Sequence, residues 1–189
     1  RIRSMPIIKI YPSKRPVRGI LQYITRGDTV PEELIRTNGC DILDAEQEFS
    51  DIAHYYNKPT GAGNRTYYHM IVSYNTTYEK ISPEDVRDMV VDLCQRTKID
   101  CYQWYLAVHT DRPDHMHAHV VINNVSYRGD RKQHVKAGKS FQSTGKLRHE
   151  LMEKGNVICK EHGYEHSLVN TKSKAQERLT RAELALAAK

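Results

Sequence analysis

Four of the ten histidines fall within one segment of eleven residues, from His109 to His119. His117 and His119 are two residues apart, so on a β-strand both side chains emerge from the same face. The residues at 111–114 predict a turn, which would bring His109 alongside them on a neighbouring strand. Three imidazole nitrogens would then converge on one point, which is the arrangement of a metal site.

An open three-histidine site makes its ion a Lewis acid, which could polarise a carbonyl group, activate a water molecule or clamp a phosphodiester. The histidines alone do not choose among these reactions. A single His-X-His pair would favour solvated loop residues instead, whereas three histidines at this spacing favour a metal. His115 would be a spare ligand or a DNA contact. Asp111 could fix the tautomer of one histidine by accepting its second ring N–H, or could simply begin the turn.

The elements that must position these residues alternate between periods of two and of 3.6, which is typical of an α+β domain. Strands are predicted at residues 6–10, 67–74, 102–109 and 117–125, and the last two form a hairpin. Helices are predicted at residues 18–25, 44–57 and 82–97, and a fourth passes through Leu147, Leu151 and Ile158 and ends at Gly163. We therefore expect a two-layer α+β fold, with a central antiparallel sheet that carries the histidines and helices against its other face.

The composition indicates a globular chain with an anionic partner. Of its 189 residues, 28% are charged and 39% are hydrophobic. No apolar run approaches the roughly 20 residues of a membrane span, which excludes a transmembrane protein. The formal net charge of +6 favours an anionic partner without establishing one. The four cysteines lack metal or disulfide spacing, so we expect reduced thiols and a cytoplasmic location.

The length predicts one domain with short additions at both ends. Residues 1–4 precede Met5 and resemble sequence from an expression vector. Residues 5–170 form the expected domain. Residues 171–189 are a charged, helix-favouring stretch without a cap, which we interpret as a helical extension leading into a further region.

Two motifs resemble those of the HUH-superfamily relaxases, the DNA strand transferases of plasmid mobilisation and conjugation. The first is His109-Thr-Asp followed by His117-Ala-His119-Val-Val-Ile-Asn123, which is similar to the metal motif of that family. The second, Gly19-Ile-Leu-Gln-Tyr-Ile-Thr-Arg26, resembles the tyrosine-bearing N-terminal motif of its mobilisation and Vir-type branch. Both lie in the family's order, and with the strand and helix between them the resemblance covers residues 6–165.

The resemblance implies an enzyme that nicks and transfers one DNA strand at the origin of transfer of a plasmid or integrative element. Tyr23 would attack the phosphodiester and leave a 5′-phosphotyrosine and a free 3′-OH, with Asp111 as a second catalytic residue. Because the chain has twelve tyrosines, only the family motif selects Tyr23. Tyr11 and Tyr56 are the next candidates.

The resemblance also implies one divalent cation, Mn²⁺ or Mg²⁺ first and Zn²⁺, Ni²⁺ or Co²⁺ as alternatives, with His109, His117 and His119 as its ligands. A tyrosine hydroxyl ordinarily has a pKa of about 10, so a nearby cation or base must stabilise the phenolate. The same cation would neutralise charge on the non-bridging oxygens in the transition state. His69 would be a core histidine, or a residue that supports or replaces one of the ligands.

Basic residues in two places are the candidate DNA contacts. Arg26 belongs to the tyrosine motif, and Arg131, Lys132 and Lys136 belong to a basic loop between the last strand and the last helix, which could track phosphates. The implied partners are origin DNA, single-stranded with an adjacent hairpin, together with accessory relaxosome proteins and a coupling protein. No membrane insertion is expected.

Two other functions stay open from the sequence. A rolling-circle replication initiator or a transposase of the same superfamily would use the same histidines with a tyrosine on a later helix. A non-catalytic DNA-binding or metal-storage module would bind DNA or metal without forming a covalent adduct.

Overall fold

The computed structural model describes residues 7–76, 79–112 and 114–164, so the expected terminal segments at 1–4 and 171–189 lie outside the described residues. The strands are β1 (Ile7–Ser13), β2 (Ile35–Asn38), β3 (Tyr67–Ser73), β4 (Tyr102–His109) and β5 (His117–Ser126). The α-helices are α1 (Val17–Thr25), α2 (Ala45–Tyr55), α3 (Pro83–Gln95) and α4 (Gly145–Glu161). Two short 3₁₀ helices, Glu32–Leu34 and Lys98–Cys101, precede β2 and β4.

The five strands form one antiparallel sheet in the order β1-β3-β5-β4-β2. The predicted hairpin is at its centre, because β5 pairs with β3 on one side and with β4 on the other. In this register His117 lies across from His109, and His119 lies across from Ala107. The three predicted ligands therefore meet at one end of the two central strands.

Helices cover both faces of this sheet. On the face away from the histidines, α3 packs against β4, β5 and α4, and the ring of Phe141 contacts Tyr68 and Tyr102. On the histidine face, α1 contacts β4 and β5, and the side-chain amide of Asn123 donates to the carbonyl of Phe49 in α2 at 3.1 Å. The α+β class and the central antiparallel sheet are confirmed. The structure adds that α1 and α2 lie on the histidine face, where no helix was expected.

The predicted start of α3 is confirmed by its cap. Ser82 precedes the helix, its side chain accepts a hydrogen bond from the amide of Asp85 at 3.0 Å, and Pro83 takes the first helical position. Such a residue satisfies one of the amides that a helix leaves without a partner at its N-terminus. Thr144 caps α4 in the same way, accepting from the amide of Leu147 at 3.2 Å.

The state of the cysteines and the character of the helices agree with what the composition predicted. Each of the four cysteines is free, and all except Cys40 are buried. None of the helices within the described residues has both the length and the apolar character of a membrane span.

The Ser82 cap leads to a stability prediction. Ser82→Ala should lower the free energy of unfolding by about 1 kcal/mol, because the amide of Asp85 loses its acceptor at the start of α3. Ser82→Gly is the matched control and should cost only a few tenths of a kcal/mol, since glycine is itself an acceptable N-cap. Urea unfolding followed by circular dichroism measures both. An unchanged free energy of unfolding in Ser82→Ala would show that the Ser82 cap does not stabilise α3.

Candidate active site

The structure brings His109, His117 and His119 together at the end of the central hairpin. One ring nitrogen from each histidine lies within 4.8 Å of those of the other two. The ring centroids are 4.3 Å apart for His109 and His119, 4.8 Å for His117 and His119, and 5.2 Å for His109 and His117. His109 and His119 are only 1% and 2% exposed. They are therefore not the solvated loop residues that the sequence left as an alternative.

Backbone carbonyls fix the ring orientation of two of these histidines. Nε2 of His109 lies 2.7 Å from the carbonyl oxygen of Ile24, at the C-terminal end of α1, where helix carbonyls lack partners within the helix. Nδ1 of His117 lies 3.2 Å from the carbonyl oxygen of His115. Because a carbonyl can only accept, these two nitrogens carry the protons. The lone pairs are therefore at Nδ1 of His109 and Nε2 of His117, where a cation could bind them.

The third histidine is held by another side chain. Nδ1 of His119 lies 2.8 Å from Nε2 of His69, which is on β3. The other nitrogen, Nε2 of His119, is buried and has no hydrogen-bond partner among the described residues. Buried polar atoms in proteins are nearly always paired, and a cation would pair this one. The donor set therefore fits a metal ion.

Burial favours the neutral form of three histidines at this site, His119, His69 and His109. It lowers the pKa of His119 to about 2, with further lowering from the positive charges that His109 and His69 would carry. Burial, followed by His109, also lowers the pKa of His69 to about 4. The pKa of His109 lies below its ordinary value, again chiefly through burial. Neutral imidazole is the form that binds metal ions.

Tyr23 lies in the last turn of α1, with its ring against the histidines. Its centroid is 5.5 Å from that of His119 and 6.1 Å from that of His109, both in edge-on geometry, and 57% of the residue remains exposed. The buried neighbour Ile24 anchors this turn, because its carbonyl accepts from His109. No other tyrosine of the described residues has a ring contact with these histidines. Tyr11 lies on β1 and Tyr56 follows α2.

Arg26 ends α1 and joins three parts of the site. It adopts the left-handed conformation, with φ 51° and ψ 45°, which is uncommon for a residue other than glycine. Its Nη2 lies 3.3 Å from Nδ1 of His109 and 3.0 Å from a carboxylate oxygen of Asp111. The lone pair of His109 that could bind a cation is thus the one that the guanidinium contacts.

Asp111 contacts Arg26 rather than a histidine. Their side chains are 46% and 45% exposed, so the pair adds little to stability. Desolvation acts to raise the pKa of the Asp111 carboxyl, but the charges of Arg26 and of the histidines outweigh it and the pKa lies below its ordinary value. The sequence left open whether Asp111 accepts a histidine N–H. In the structure, His109 and His117 donate to the Ile24 and His115 carbonyls, and Nδ1 of His119 is paired with His69.

A cleft of about 480 Å³ opens beside these residues. Its polar lining includes Tyr23, His117 and His119, together with Arg26, Asp111, Arg112 and His115. Two guanidinium groups beside a potential cation site make the cleft suitable for an anion such as a phosphate. His115 lines the cleft, but its side chain is outside the converging set of nitrogens.

The basic loop does not line this cleft. Arg131, Lys132 and Lys136 follow the end of β5 at Ser126, whereas the histidines are at the start of that strand. At the rise of an extended strand, His119 and Ser126 are about 24 Å apart. Of the four predicted DNA contacts, only Arg26 is at the cleft.

The structure can be compared with known proteins at this point. A family model for the MobA/VirD2-like relaxase nuclease domain matches residues 23–164. Two curated relatives from Staphylococcus aureus, each named Protein rlx, are 29% and 26% identical to this chain over 144 residues, or 76% of its length. The chain spans only 40% and 38% of those relatives.

One solved structure has a similar fold. It was described under the heading "Molecular Basis of Vancomycin Resistance Transfer in Staphylococcus aureus", and it matches with a TM-score of 0.60 at 11% identity. The match covers 90% of this chain and 100% of the other. At this identity the likeness concerns the fold alone.

The converging nitrogens lead to a metal-binding prediction. The chain should bind one Mn²⁺ ion, and the double variant His117→Ala, His119→Ala should lose that binding, because two of three nitrogen ligands are removed. Calorimetric titration with Mn²⁺ gives the stoichiometry. His115→Ala, two residues before β5, is the control and should bind as the parent chain does. An unchanged stoichiometry in the double variant would refute the assignment.

Proposed function

This chain belongs to the MobA/VirD2-like relaxase nuclease domains, and from that membership we propose that it nicks one DNA strand at an origin of transfer and becomes covalently attached to it. The observation that carries the proposal is the position of Tyr23. Its ring lies edge-on to His109 and His119, at a cleft whose lining includes two arginines. A nucleophile, a cation site and anion-binding groups are thus adjacent.

The proposed reaction is a transesterification. The Tyr23 oxygen attacks the phosphorus atom, a tyrosine–phosphate bond forms, and the bond to the 3′ oxygen breaks. The phenol loses its proton and the departing 3′ oxygen gains one. Because one phosphoester bond replaces another and no water is consumed, a free 3′-OH can reverse the step and rejoin the strand.

The residues proposed to hold the cation are His109 through Nδ1, and His117 and His119 through Nε2. When bound, a divalent ion supplies positive charge to the phosphate oxygens and to the phenolate. Nitrogen ligands suit first-row transition ions better than Mg²⁺. Of the two ions that the resemblance puts first, we therefore propose Mn²⁺.

Arg26 and Asp111 are proposed to act together on the scissile phosphate. Arg26 would donate to the phosphate, as guanidinium groups commonly do, and Asp111 would orient Arg26 through the 3.0 Å contact between them. Asp111 would then be a positioning residue for Arg26 and would take no proton itself.

The proposal also includes the DNA substrate and the protein partners. The substrate is origin DNA, single-stranded at the nick and with an adjacent hairpin. Arg131, Lys132 and Lys136 would bind phosphates of the same molecule beyond the other end of β5. Accessory relaxosome proteins and a coupling protein would act with the whole protein in the cytoplasm. The place of Tyr23 on the first helix favours this function over a replication initiator, which would use a later one.

Removing one oxygen atom tests whether Tyr23 is the nucleophile. Tyr23→Phe should abolish the covalent adduct with a single-stranded origin oligonucleotide and leave DNA affinity nearly unchanged, because only the hydroxyl is removed. Adducts that survive denaturing electrophoresis are counted in the presence of Mn²⁺. Tyr55→Phe, at an exposed tyrosine of α2, is the matched control and should form adduct normally. Adduct formation by the Tyr23→Phe variant would assign the reaction to another tyrosine.

The substrate preference is a separate prediction. Single-stranded oligonucleotides should be cleaved and linear duplexes of the same sequence should be poor substrates, because stacking and pairing obstruct in-line approach of tyrosine and cation to one phosphate. Binding should weaken as salt rises, through counterion release. The logarithm of the binding constant falls linearly with the logarithm of the salt concentration. In the Lys132→Gln, Lys136→Gln variant the slope of that line should be shallower by up to about two. Equal cleavage of duplex and single strand would favour a general nuclease.

A further inference from the structure

We infer that His69 is a positioning residue, which accepts the Nδ1–H of His119 and thereby directs the Nε2 lone pair of His119 to the cation. This inference rests on the metal site in the proposed function. His69 is in the middle of β3, paired with Val121 of β5 and Tyr11 of β1. Its Nε2 lies 2.8 Å from Nδ1 of His119, and the two rings are inclined by only 23°.

The hydrogen bond between these rings could run in either direction, and the two directions have opposite consequences. If His69 donates, His119 carries its own proton at Nε2, where it would face the other two histidines and repel a cation. If His119 donates, its Nε2 keeps a lone pair. That nitrogen is buried and has no acceptor among the described residues, so a proton there would be left without a hydrogen bond. The second direction is therefore the favourable one.

The other two histidines show the same arrangement. His109 donates to the Ile24 carbonyl and His117 to the His115 carbonyl, so in each ring the nitrogen away from the cluster is held by an acceptor. For His119 no such carbonyl bond exists among the described residues. His119 is on β5, between β3 and β4, where the backbone carbonyls are engaged in hydrogen bonds between the strands. A side chain on the neighbouring strand must supply the acceptor, and His69 does so.

The chemistry then sets a requirement on residue 69. It must present a lone pair towards His119, which a neutral histidine protonated at Nδ1 provides and a phenylalanine of similar shape does not. A glutamine could offer its side-chain oxygen instead. The role can thus be separated from packing, because the ring shape and the acceptor can be varied independently.

Manganese affinity, measured by calorimetric titration in the absence of DNA, tests this role. His69→Phe should raise the dissociation constant roughly 10- to 100-fold, as is usual when the partner of a ligating histidine is lost. His69→Gln should restore most of the affinity. His149→Phe, at an exposed histidine of α4, is the matched control and should bind as the parent chain does.

The outcomes separate the inference from the proposed function. An unchanged affinity in His69→Phe, with binding lost in His119→Ala, would overturn the role of His69 alone. Unchanged binding in His119→Ala would overturn the metal site and this inference with it.

A second measurement does not depend on a folded His69→Phe chain. Nitrogen-15 NMR of the unsubstituted, metal-free protein should show His119 protonated at Nδ1. A signal for protonation at Nε2 would refute the inference.

Discussion

The antiparallel register of β4 and β5 places His109 directly across from His117. Side chains alternate along β5, so His119 contributes a third imidazole on the same face as His117. A shift of one residue in this pairing would turn His117 and His119 to the opposite face, against α3 and α4. The register is itself fixed by burial, because Leu106, Val108, Val120 and Ile122 fill the apolar core on that opposite face. The histidine end of the hairpin is therefore specified by residues whose side chains lie on the other face of the sheet.

Helix α1 depends on the same strand pair. The hydrogen bond from His109 to the Ile24 carbonyl attaches the last turn of α1 to the end of β4, and this attachment sets Tyr23 over the histidines. One histidine thus performs two tasks, with one nitrogen holding the helix that bears the tyrosine and the other facing the cluster. The proposed nucleophile and the proposed cation site therefore share a common support, while most of the tyrosine stays exposed.

Much of the fold could be predicted from local pattern, and the failures have physical causes. The alternation in residues 117–125 and the Ser82-Pro83 pair indicated β5 and the start of α3, because both signals are local. The four residues of β2 carry no such pattern, and they become a strand only through pairing with β4. The basic loop was associated with the site by its charge alone, whereas its place at the far end of β5 follows from strand direction. The supporting role proposed for His69, one of the alternatives left open by the sequence, depends on the strand order, which places β3 beside β5.

The contact between Arg26 and His109 would link the two proposed binding events, of metal and of DNA, thermodynamically. The Nδ1 lone pair of His109 can be occupied by the guanidinium or by a cation, and the guanidinium also faces the cleft. An anion that draws Arg26 towards itself frees the lone pair, and a cation at the lone pair releases Arg26. By reciprocity, each ligand then changes the affinity of the other by the same factor. In a site built this way the order of loading would have no effect on the final equilibrium, and each of the two ligands would report on the presence of the other.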